Sequence, residues 1–535
     1  MSSIFLQGNA LSVLGCLPVD YFHCAMTSPP YFGLRKYSGG EEIWDGDSAC
    51  LHEWGADQPC HHPGQVEQTK WKSAVASGYG QTQPSGNFCQ LCGAWKGALG
   101  NEPSPELYLR HLVEICREVR RVLRPDGVFW LNIGDSWATH ASGGKGYAHN
   151  FHSPEVCIEN GIDQPKPTAR SMGMKELDMV LIPEQLALAL RADGWYLRSI
   201  LIWAKGVSLS DEYNGNPMPE SVNGWRWEKH KVKVAKSARA SGDSYHSLAF
   251  GDSPMGARDG RDFADHDKEW QDCPGCPKCE KNGGYVLRKG SWRPTDSYEH
   301  ILMLTKTNSY YCDREAVLER GVYPAGESRS GGNGHKSLDA GSRTTEGLHN
   351  KDWNGNGGRN LRSVLAVPTR GFSGAHFAVY PPDLITPLIK AATSEEGCCP
   401  KCGSPWARVI QKPEVPHDGE TDCKNTDAQG NTRRLAVLRQ AARERGQEYT
   451  NSSNTIGWLP TCQCSIQETE PCRVLDPFSG AGTTALVAER LGLDSIGIDT
   501  SAEYIQLAEA RIVEDEQKRI DEQIKQLRKE AKGAR

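Results

Sequence analysis

A glycine turn near the C-terminus, between a short apolar strand and a helix, constrains the fold of this chain most. Residues 474–476 (Val-Leu-Asp) predict a buried strand, and Gly480 and Gly482 lie in the turn after it. Glycines let a backbone approach a ligand closely, and the first N–H groups of the next helix can bind it. Asp499 ends the following predicted strand, where a carboxylate can accept hydrogen bonds from ribose hydroxyls. The pattern predicts a ribose-containing ligand on an α/β sheet.

Dinucleotide-binding enzymes use similar glycines and an acid, so this pattern alone leaves the ligand open. No Lys follows the second glycine, which argues against a phosphate-binding P-loop. Helices and strands alternate elsewhere too, which predicts a doubly wound, mostly parallel sheet with helices on both faces. The predicted elements are a helix that starts at residue 104 and stops at 125–127, a helix at 183–192, and strands at 128–133, 195–203 and 298–304.

A second motif, Ser-Pro-Pro-Tyr at 28–31, follows the apolar stretch 22–26 near the N-terminus. The prolines restrict the loop and fix the direction of the Pro29 carbonyl. That carbonyl and the Ser28 hydroxyl can accept hydrogen bonds from an amine, and Tyr31 can stack on a flat ring. In isolation such a tetrapeptide is typical of an ordinary polyproline turn. Its position after a strand, and its pairing with the glycine turn, favour a binding site.

The order of the two motifs, with the 28–31 loop before the 474–482 segment, is similar to that of the beta class of DNA amino-methyltransferases. Those enzymes transfer a methyl group from S-adenosylmethionine to the exocyclic amine of cytosine or adenine. The resemblance covers most of the chain and implies a Rossmann-like methyltransferase fold with a circularly permuted motif order. It also implies which residues orient and activate the amine: Ser28, Pro29, Pro30 and Tyr31.

The same resemblance implies a set of cofactor-binding residues. Phe478 and the two glycines would line the methionine part, and Asp499 would hold the ribose. Asn9 would lie near the adenine, at a position that is often Asp in the family, and the segment 374–378 would pack on the methionine end. The full set is Asn9, His376, Phe377, Asp476, Pro477, Phe478, Ser479, Gly480, Gly482, Thr483 and Asp499.

Ser rather than Asp at the first position of the 28–31 loop favours N4 of cytosine, and N6 of adenine stays open because adenine enzymes also use Ser. The base must be flipped out of a duplex, and stacking on Tyr31 would offset part of that cost. Methylation of a ring carbon would need a Cys nucleophile, and neither Cys60 nor Cys472, each after a Pro, resembles that class. Four segments resemble those of a phage and bacterial branch of the family, where the matching residues border the pocket of the target base: 32–37, 132–136, 203–205 and 216–221.

The chain has 19 cysteines, many of them in Cys-x-Cys or Cys-x2-Cys pairs. Without an export signal this favours metal ligands over disulfides, with free buried cysteine as the alternative. Two sets fit structural zinc: Cys50, His52, Cys89 and Cys92, and Cys399, Cys402, Cys462 and Cys464. Cys60, His61 and His62 compete for the first set, and Cys398 competes for the second. A third group lacks an obvious fourth ligand, for which His266 is a candidate: Cys273, Cys276 and Cys279.

These patterns divide the chain into a discontinuous core and several inserts. The predicted methyltransferase core comprises residues 1–37, 101–205, 296–395 and 470–515. Zinc would tie two loop-rich inserts, 38–100 and 396–465, and a basic insert at 206–295 is the candidate target recognition region. Residues 325–360 predict a mobile loop, and residues 516–535 a charged helix that packs on the core or on a partner. Because the net charge is −6, the protein needs a local basic patch to bind DNA. The lysine-rich stretch 226–239 is a candidate for this patch, and a solvated charged face is the alternative interpretation.

We expect a soluble protein of the bacterial or phage-infected cytoplasm, because we find neither a leader nor an apolar run that could span a bilayer. The expected partners are double-stranded DNA and a cognate restriction endonuclease, with no membrane. Two other functions stay open. One is methylation of an RNA base or a protein side-chain amide, against which the DNA-sized inserts argue. The other is a zinc-stabilised DNA-binding protein without catalysis, against which the two intact motifs argue.

Overall fold

The chain forms two compact units, residues 1–216 with 297–535 and residues 217–296. The computed structural model describes residues 3–33, 42–56, 87–138, 169, 172–205, 224–235, 268–290, 292–294, 296–319, 360–369, 379–411 and 454–533.

Strands and helices in these ranges are numbered in chain order. The strands are β1 (Ser3–Gln7), β2 (Phe22–Thr27), β3 (Glu42–Trp44), β4 (Trp54–Ala56), β5 (Phe88–Cys89), β6 (Trp95–Gly97), β7 (Leu123–Ile133), β8 (Tyr196–Ala204), β9 (Arg226–Lys229), β10 (Lys231–Ala235), β11 (Lys268–Asp272), β12 (Tyr285–Arg288), β13 (Tyr298–Thr305), β14 (Val364–Ala366), β15 (Trp406–Gln411), β16 (Asn454–Pro460), β17 (Arg473–Asp476) and β18 (Asp494–Asp499). The helices are α1 (Ala10–Cys16), α2 (Pro105–Val122), α3 (Ile182–Ala192), α4 (Pro382–Ala392), α5 (Thr483–Arg490) and α6 (Ala502–Gly533). Two short 3-10 helices are Glu280–Asn282 and Glu315–Val317.

The first unit is built on an eight-stranded sheet in the order β1-β18-β17-β2-β7-β13-β8-β14. Strand β13 runs antiparallel to both neighbours, and the other neighbouring pairs are parallel. The strand before the 28–31 loop, β2, therefore lies beside the strand before the glycine turn, β17, although the two are far apart in sequence. This confirms the predicted Rossmann-like α/β fold with a permuted motif order.

The residues of β7 show how the sheet separates two apolar cores. Phe129 and Leu131 face a core that includes side chains of α1, α2 and α3. Val128 and Trp130 face a second core with side chains of α4 and α5. Successive side chains of a strand point to opposite faces, so a strand that is apolar at every position requires helices on both sides of the sheet.

The start of α2 follows the sequence prediction, but the chain after this helix does not. Ser104 Oγ accepts the Leu107 N–H at 3.4 Å and Pro105 lies in the first turn. Strand β7 then begins directly at Leu123, whereas the sequence predicts a turn at 125–127 and a strand from 128. The Pro-Asp-Gly segment is accommodated because the pairing of β7 with β2 shifts register there, which is a β-bulge.

A buried histidine joins α2 to the insert that precedes it. His111 Nδ1 lies 2.9 Å from Glu102 Oε1, and His111 Nε2 lies 3.2 Å from Asp45 Oδ2. Burial lowers the pKa of His111, but the two carboxylates outweigh it and raise this pKa above its ordinary value. The hydrogen bond from His111 in turn lowers the pKa of Asp45. The network therefore stabilises the contact between the insert and the core most when His111 is charged.

The inserts carry small sheets of their own. Strands β3, β4, β5 and β6 form an antiparallel sheet in the order β3-β6-β5-β4, and β15 pairs with β16. In the second unit β9 pairs with β12 and β10 pairs with β11, all antiparallel. Small two-stranded sheets have little core, so they need another source of stability.

The long C-terminal helix α6 packs on β1, β18 and α5 through its first part. Further along, three apolar side chains of α6 stay largely exposed, with Ile520 42%, Ile524 40% and Leu527 64% accessible. In the ranges described above, we find no helix long and apolar enough to cross a membrane.

Candidate active site

The two sequence motifs meet at the point where the strand order of the sheet reverses. From β17 the chain continues through α5 to β18 on one side, whereas from β2 it continues through α2 to β7 on the other. Helices α5 and α2 contribute to cores on opposite faces. In open α/β sheets, ligands bind in the crevice outside the carboxyl ends of the strands at such a switch point. The glycine turn and the Ser-Pro-Pro-Tyr loop both begin at this crevice.

A buried carboxylate, Asp476, connects the two loops. Its Oδ1 accepts hydrogen bonds from Thr27 Oγ1 at 2.5 Å and from the Phe478 N–H at 3.1 Å. Its Oδ2 accepts from Thr484 Oγ1 at 2.7 Å and from the Tyr380 hydroxyl at 3.1 Å. Burial raises the pKa of Asp476, and these donors oppose the rise. Asp476 therefore acts on the pocket through the protein, by holding the start of both loops in place.

The two glycines of the turn have different surroundings, although both have positive φ. Gly480 has φ +48, and a Cβ built on it would have no heavy atom within 4 Å. Gly482 has φ +70, and its Cβ would lie only 2.6 Å from Ala508 Cβ in α6. Gly480 therefore borders open space on the ligand side of the turn, and Gly482 permits close packing. Beside them Ser479 Oγ is buried and, within the described ranges, has no hydrogen-bond partner. An open cradle and an unused polar atom fit a bound cofactor.

Asp499 lies against the glycine turn. Its Oδ2 accepts the Gly480 N–H at 2.9 Å and its Oδ1 accepts the Ser501 N–H at 2.8 Å. Burial raises the pKa of Asp499 above its ordinary value. The Asp499 carbonyl accepts the Gly8 N–H at 2.9 Å, which brings Asn9 to the same end of the sheet. The Asn9 side-chain oxygen caps α1, so its amide nitrogen is the part left for a ligand.

The remaining predicted cofactor residues are distributed around this turn. Phe478 is half-buried against the first core, next to Pro477. The Thr483 hydroxyl accepts a hydrogen bond from Arg511 Nη1 at 2.8 Å, which ties α5 to α6. His376 and Phe377 lie outside the described residues.

The loop at 28–31 is fixed by contacts on both sides. The Tyr108 hydroxyl donates to the Pro30 carbonyl at 2.6 Å. The ring of Tyr31 lies so close to Gly134 that a Cβ there would be 2.7 Å from Tyr31 Cε2. Among the described residues we find no hydrogen bond to the Pro29 carbonyl, so this acceptor is available to a substrate. The loop thus has the rigidity that an aimed acceptor needs.

A polar network that the sequence did not predict lies behind this loop. Glu299, at the start of β13, accepts hydrogen bonds from the Tyr31 hydroxyl at 2.6 Å and from Asn132 Nδ2 at 2.7 Å. Its other oxygen forms an ion pair with Lys205. Glu299 is only 7% exposed. Asn132 and Lys205 belong to segments that resemble base-pocket segments of the family, but no local pattern singles out Glu299, because it is 268 residues away from Tyr31.

Two of the predicted metal sets are brought together with the spacing of a tetrahedral site. In the first, Cys50 Sγ lies 3.8 Å from Cys89 Sγ, and Cys92 Sγ lies 3.4 Å from His52 Nδ1. A tetrahedron with Zn–S bonds of about 2.3 Å has S–S edges of about 3.8 Å. In the second set, the ligand atoms likewise all lie within 4.8 Å of one another: Cys399, Cys402, Cys462 and Cys464. Both sets fit Zn²⁺ by donor type and spacing.

The third cysteine group has a fourth partner that the sequence did not identify. In the second unit Cys276 Sγ lies 3.3 Å from His230 Nδ1 and 3.7 Å from Cys279 Sγ. Together with Cys273 these atoms all lie within 4.8 Å of one another. His230 takes the place for which we considered His266, and His266 is outside the described residues. Cys60, His61 and His62 are also outside them.

Cys398 belongs to a different buried group, with Cys472 and His23, and not to the second zinc set. His23 Nδ1 accepts the Arg473 N–H at 3.0 Å, and His23 Nε2 lies 2.7 Å from the Gly403 carbonyl. Because Nδ1 is the acceptor, Nε2 carries the proton and donates it. Neither ring nitrogen has a lone pair left for a metal, so this group is a hydrogen-bonded contact between β2 and the insert.

Comparison with known proteins places the chain in a family. A family model described as DNA methylase, of the N6/N4 methyltransferases, matches residues 22–399 and 471–510. The type II methyltransferase M.Cfr9I of Citrobacter freundii is 28% identical over 388 residues, which is 72% of this chain and 71% of that protein. M.SmaI of Serratia marcescens is 23% identical over 508 residues, 95% of this chain and 90% of that protein.

Two solved structures are also similar. One is the PvuII DNA methyltransferase, described as cytosine-N4-specific, with 12% identity, a TM-score of 0.35 and coverage of 95% of this chain and 85% of that chain. The other is M1.HpyAVI in complex with S-adenosylmethionine, with 11% identity and a TM-score of 0.28. The match covers 96% of this chain and 100% of that chain.

The fold and the paired loops thus define an S-adenosylmethionine-dependent methyltransferase, and the chain belongs to the DNA methylase family of N6/N4 methyltransferases. It is a DNA amino-methyltransferase. Its substrate is DNA, and its cofactor is S-adenosylmethionine.

Proposed function

We propose that this enzyme methylates N4 of cytosine at a specific site in double-stranded DNA. The observation that supports it most is the juxtaposition of the Ser28 loop with the glycine turn, through the bond from Thr27 to Asp476. When bound at the turn, S-adenosylmethionine supplies an electrophilic methyl group. Ser28 in place of an Asp is the feature that favours cytosine over adenine.

The chemistry that this loop has to perform is activation of a poor nucleophile. The lone pair of an exocyclic amine is delocalised into the base, so the amine needs acceptors for its N–H groups before it can attack. Ser28 Oγ and the Pro29 carbonyl are the two acceptors, and the rigid loop aims them at one point. Tyr31 stacks on the flipped base. The amine then attacks the methyl group in line, with no covalent intermediate on the enzyme.

The second unit is the part that we propose reads the DNA target. It exposes several aromatic side chains, with Trp225 67%, Trp227 54% and Trp270 61% accessible. Cations accompany them, including Lys289, whose Nζ lies 4.6 Å from the Trp225 ring centroid, and Lys229 on β9. Cations neutralise phosphates and aromatic faces stack on bases, so this composition suits DNA better than it suits a plain solvated face. Zinc at the His230 site would hold the two small sheets together.

Replacement of Lys229 by Ala tests this assignment by DNA binding. If Lys229 contacts a phosphate, K229A lowers the affinity for DNA of every sequence. The slope of log affinity against log salt concentration should also become shallower by about one, because one fewer counterion is released on binding. Lys518→Ala, on the exposed C-terminal helix, is the matched control and should bind like the wild type. Equal binding and an unchanged salt slope for both variants would exclude Lys229 from the interface.

The base is identified by nucleoside mass spectrometry of unmethylated DNA after incubation with the enzyme and methyl-deuterated cofactor. We expect labelled N4-methylcytosine. Labelled N6-methyladenine would keep the mechanism and overturn the choice of base. Label in RNA or protein but not in DNA would overturn the function itself.

We also propose that the enzyme protects its site from a cognate restriction endonuclease in the cytoplasm of a bacterium or a phage-infected cell. The type II methyltransferases it is similar to support this setting. DNA modified in vitro should resist cleavage by an endonuclease encoded beside the methyltransferase gene. Cleavage at an unchanged rate by that nuclease would argue for a solitary methyltransferase.

A further inference from the structure

The hydrogen bonds behind the catalytic loop run in one direction, from Ser28 to a buried carboxylate. The Ser28 hydroxyl donates to the Tyr31 hydroxyl at 3.2 Å, and the Tyr31 hydroxyl donates to Glu299 Oε2 at 2.6 Å. Ser28 Oγ also accepts a long hydrogen bond from Asn132 Nδ2 at 3.4 Å. Because its own proton points toward Tyr31, Ser28 Oγ still keeps a lone pair for an incoming N–H group.

Asn132 sets this direction. Its Nδ2 donates to the Tyr31 oxygen at 2.8 Å and to Glu299 Oε2 at 2.7 Å. The reversed amide would place its oxygen against the carboxylate, which is unfavourable, so Asn132 acts as the donor. The Tyr31 oxygen, which already accepts from Asn132, must then give its own proton to Glu299.

The end of this chain is a negative charge held away from solvent. Glu299 is 7% exposed, and the ion pair with Lys205 on its other oxygen offsets the cost of its burial. Among the residues that the structure describes, the titratable groups that face Glu299 are Lys205, from the end of β8, and Tyr31, from the loop after β2. Neither the acceptor role of Ser28 nor the stacking role of Tyr31 requires such a carboxylate.

We propose that Glu299 is the terminal proton acceptor of methyl transfer, reached through Ser28 and Tyr31. As the N–C bond forms and the C–S bond breaks, sulfur takes the electron pair of the broken bond. The amine gives one proton to Ser28 Oγ, Ser28 passes its own proton to the Tyr31 oxygen, and Tyr31 passes its proton to Glu299. The products are the methylated amine, S-adenosylhomocysteine and a protonated Glu299. An alcohol oxygen is a far weaker base than a carboxylate, so the transferred proton moves on from Ser28 to Glu299. The proposal rests on the placement of the target amine at Ser28.

Single-turnover methyl transfer, measured by rapid quench in H2O and in D2O, tests this relay. We expect Glu299→Gln to slow the methyl transfer step by about 100-fold while DNA and cofactor affinities stay close to wild type. The solvent isotope effect on the wild-type rate should be smaller in this variant, because fewer protons then move with the methyl group, and Glu299→Asp should restore part of the rate and of the isotope effect. Glu516→Gln, the same chemical change at an exposed position of α6, is the control.

The relay also predicts that its members act as one unit. Tyr31→Phe keeps the stacking ring but removes the hydroxyl, and we expect Tyr31→Phe/Glu299→Gln to be no slower than the slower single variant. Independent, multiplying losses would overturn the relay, as would a wild-type rate or an unchanged solvent isotope effect in Glu299→Gln. If the wild-type enzyme transfers no methyl group to DNA, the proposed function fails instead. An active wild type with an equally active Glu299→Gln overturns the relay alone.

Discussion

Substitution of the two glycines of the turn by Ala separates ligand binding from folding. Both have positive φ, where an L side chain costs roughly 1–2 kcal/mol. Gly482→Ala adds a contact of 2.6 Å between Cβ atoms of residues 482 and 508, well inside the normal separation, and such overpacking costs about 1–3 kcal/mol more. The methyl group of Gly480→Ala meets no protein atom within 4 Å, so the free energy of unfolding should fall only by the backbone strain. That methyl group would instead enter the space that we assign to the cofactor.

Denaturant unfolding with and without S-adenosylmethionine measures both effects. A ligand at 100 times its Kd stabilises the folded state by about 2.7 kcal/mol. If Gly480→Ala weakens binding 100-fold, the same concentration stabilises it by only about 0.4 kcal/mol. Gly482→Ala should be the less stable of the two without ligand. Wild-type affinity in Gly480→Ala, or a larger loss of stability at Gly480 than at Gly482, would refute this assignment of the pocket.

Three further predictions concern the parts that hold the site. Elemental analysis of the purified protein should find about three zinc ions per chain, and Cys402→Ser should lose about one of them. Thr27→Val removes a donor from the buried carboxylate of Asp476, so the free energy of unfolding should fall by about 1–3 kcal/mol in urea, together with cofactor affinity. Asp45→Asn should lower stability by about 1–2 kcal/mol at pH 5.5 and less at pH 9. Because the folded-state pKa of His111 is raised, its contribution is full at low pH and is lost as the pH rises through that value.

Each of these has a clear contrary result. A metal-free protein that is fully folded and active would exclude structural zinc. A Thr27→Val variant as stable as the wild type would show that the carboxylate does not depend on this donor. A stability loss in Asp45→Asn that is constant with pH, or larger at pH 9, would mean that the charge on His111 does not stabilise the fold.

The sequence could predict that the two loops meet, because each follows a buried strand and parallel strands present their carboxyl ends at the same edge of a sheet. It could also predict the two four-ligand metal sets, since closely spaced cysteines leave few partners. These predictions depend on short-range patterns, such as the glycines of the turn and the prolines at 29 and 30.

The rest could not be predicted because it depends on strand pairing between distant segments. Glu299 reaches Tyr31 only because β13 inserts antiparallel between β7 and β8, which puts the start of β13 at the carboxyl end of β7. His230 joins its cysteines because it lies between β9 and β10, 46 residues before Cys276. The role of Asp476 was also hidden: the residue type suggests a ligand contact, whereas its burial and its four donors indicate a structural one.

The central claim is that the glycine turn and the Ser-Pro-Pro-Tyr loop form one site. Irradiation of the protein with methyl-tritiated S-adenosylmethionine, followed by mass spectrometry of the labelled peptides, tests it most directly. We expect label in peptides that contain residues 28–31 or 476–483, and loss of that label when unlabelled cofactor competes. Competable label confined to other peptides would contradict the claim that these two loops hold the reacting methyl group.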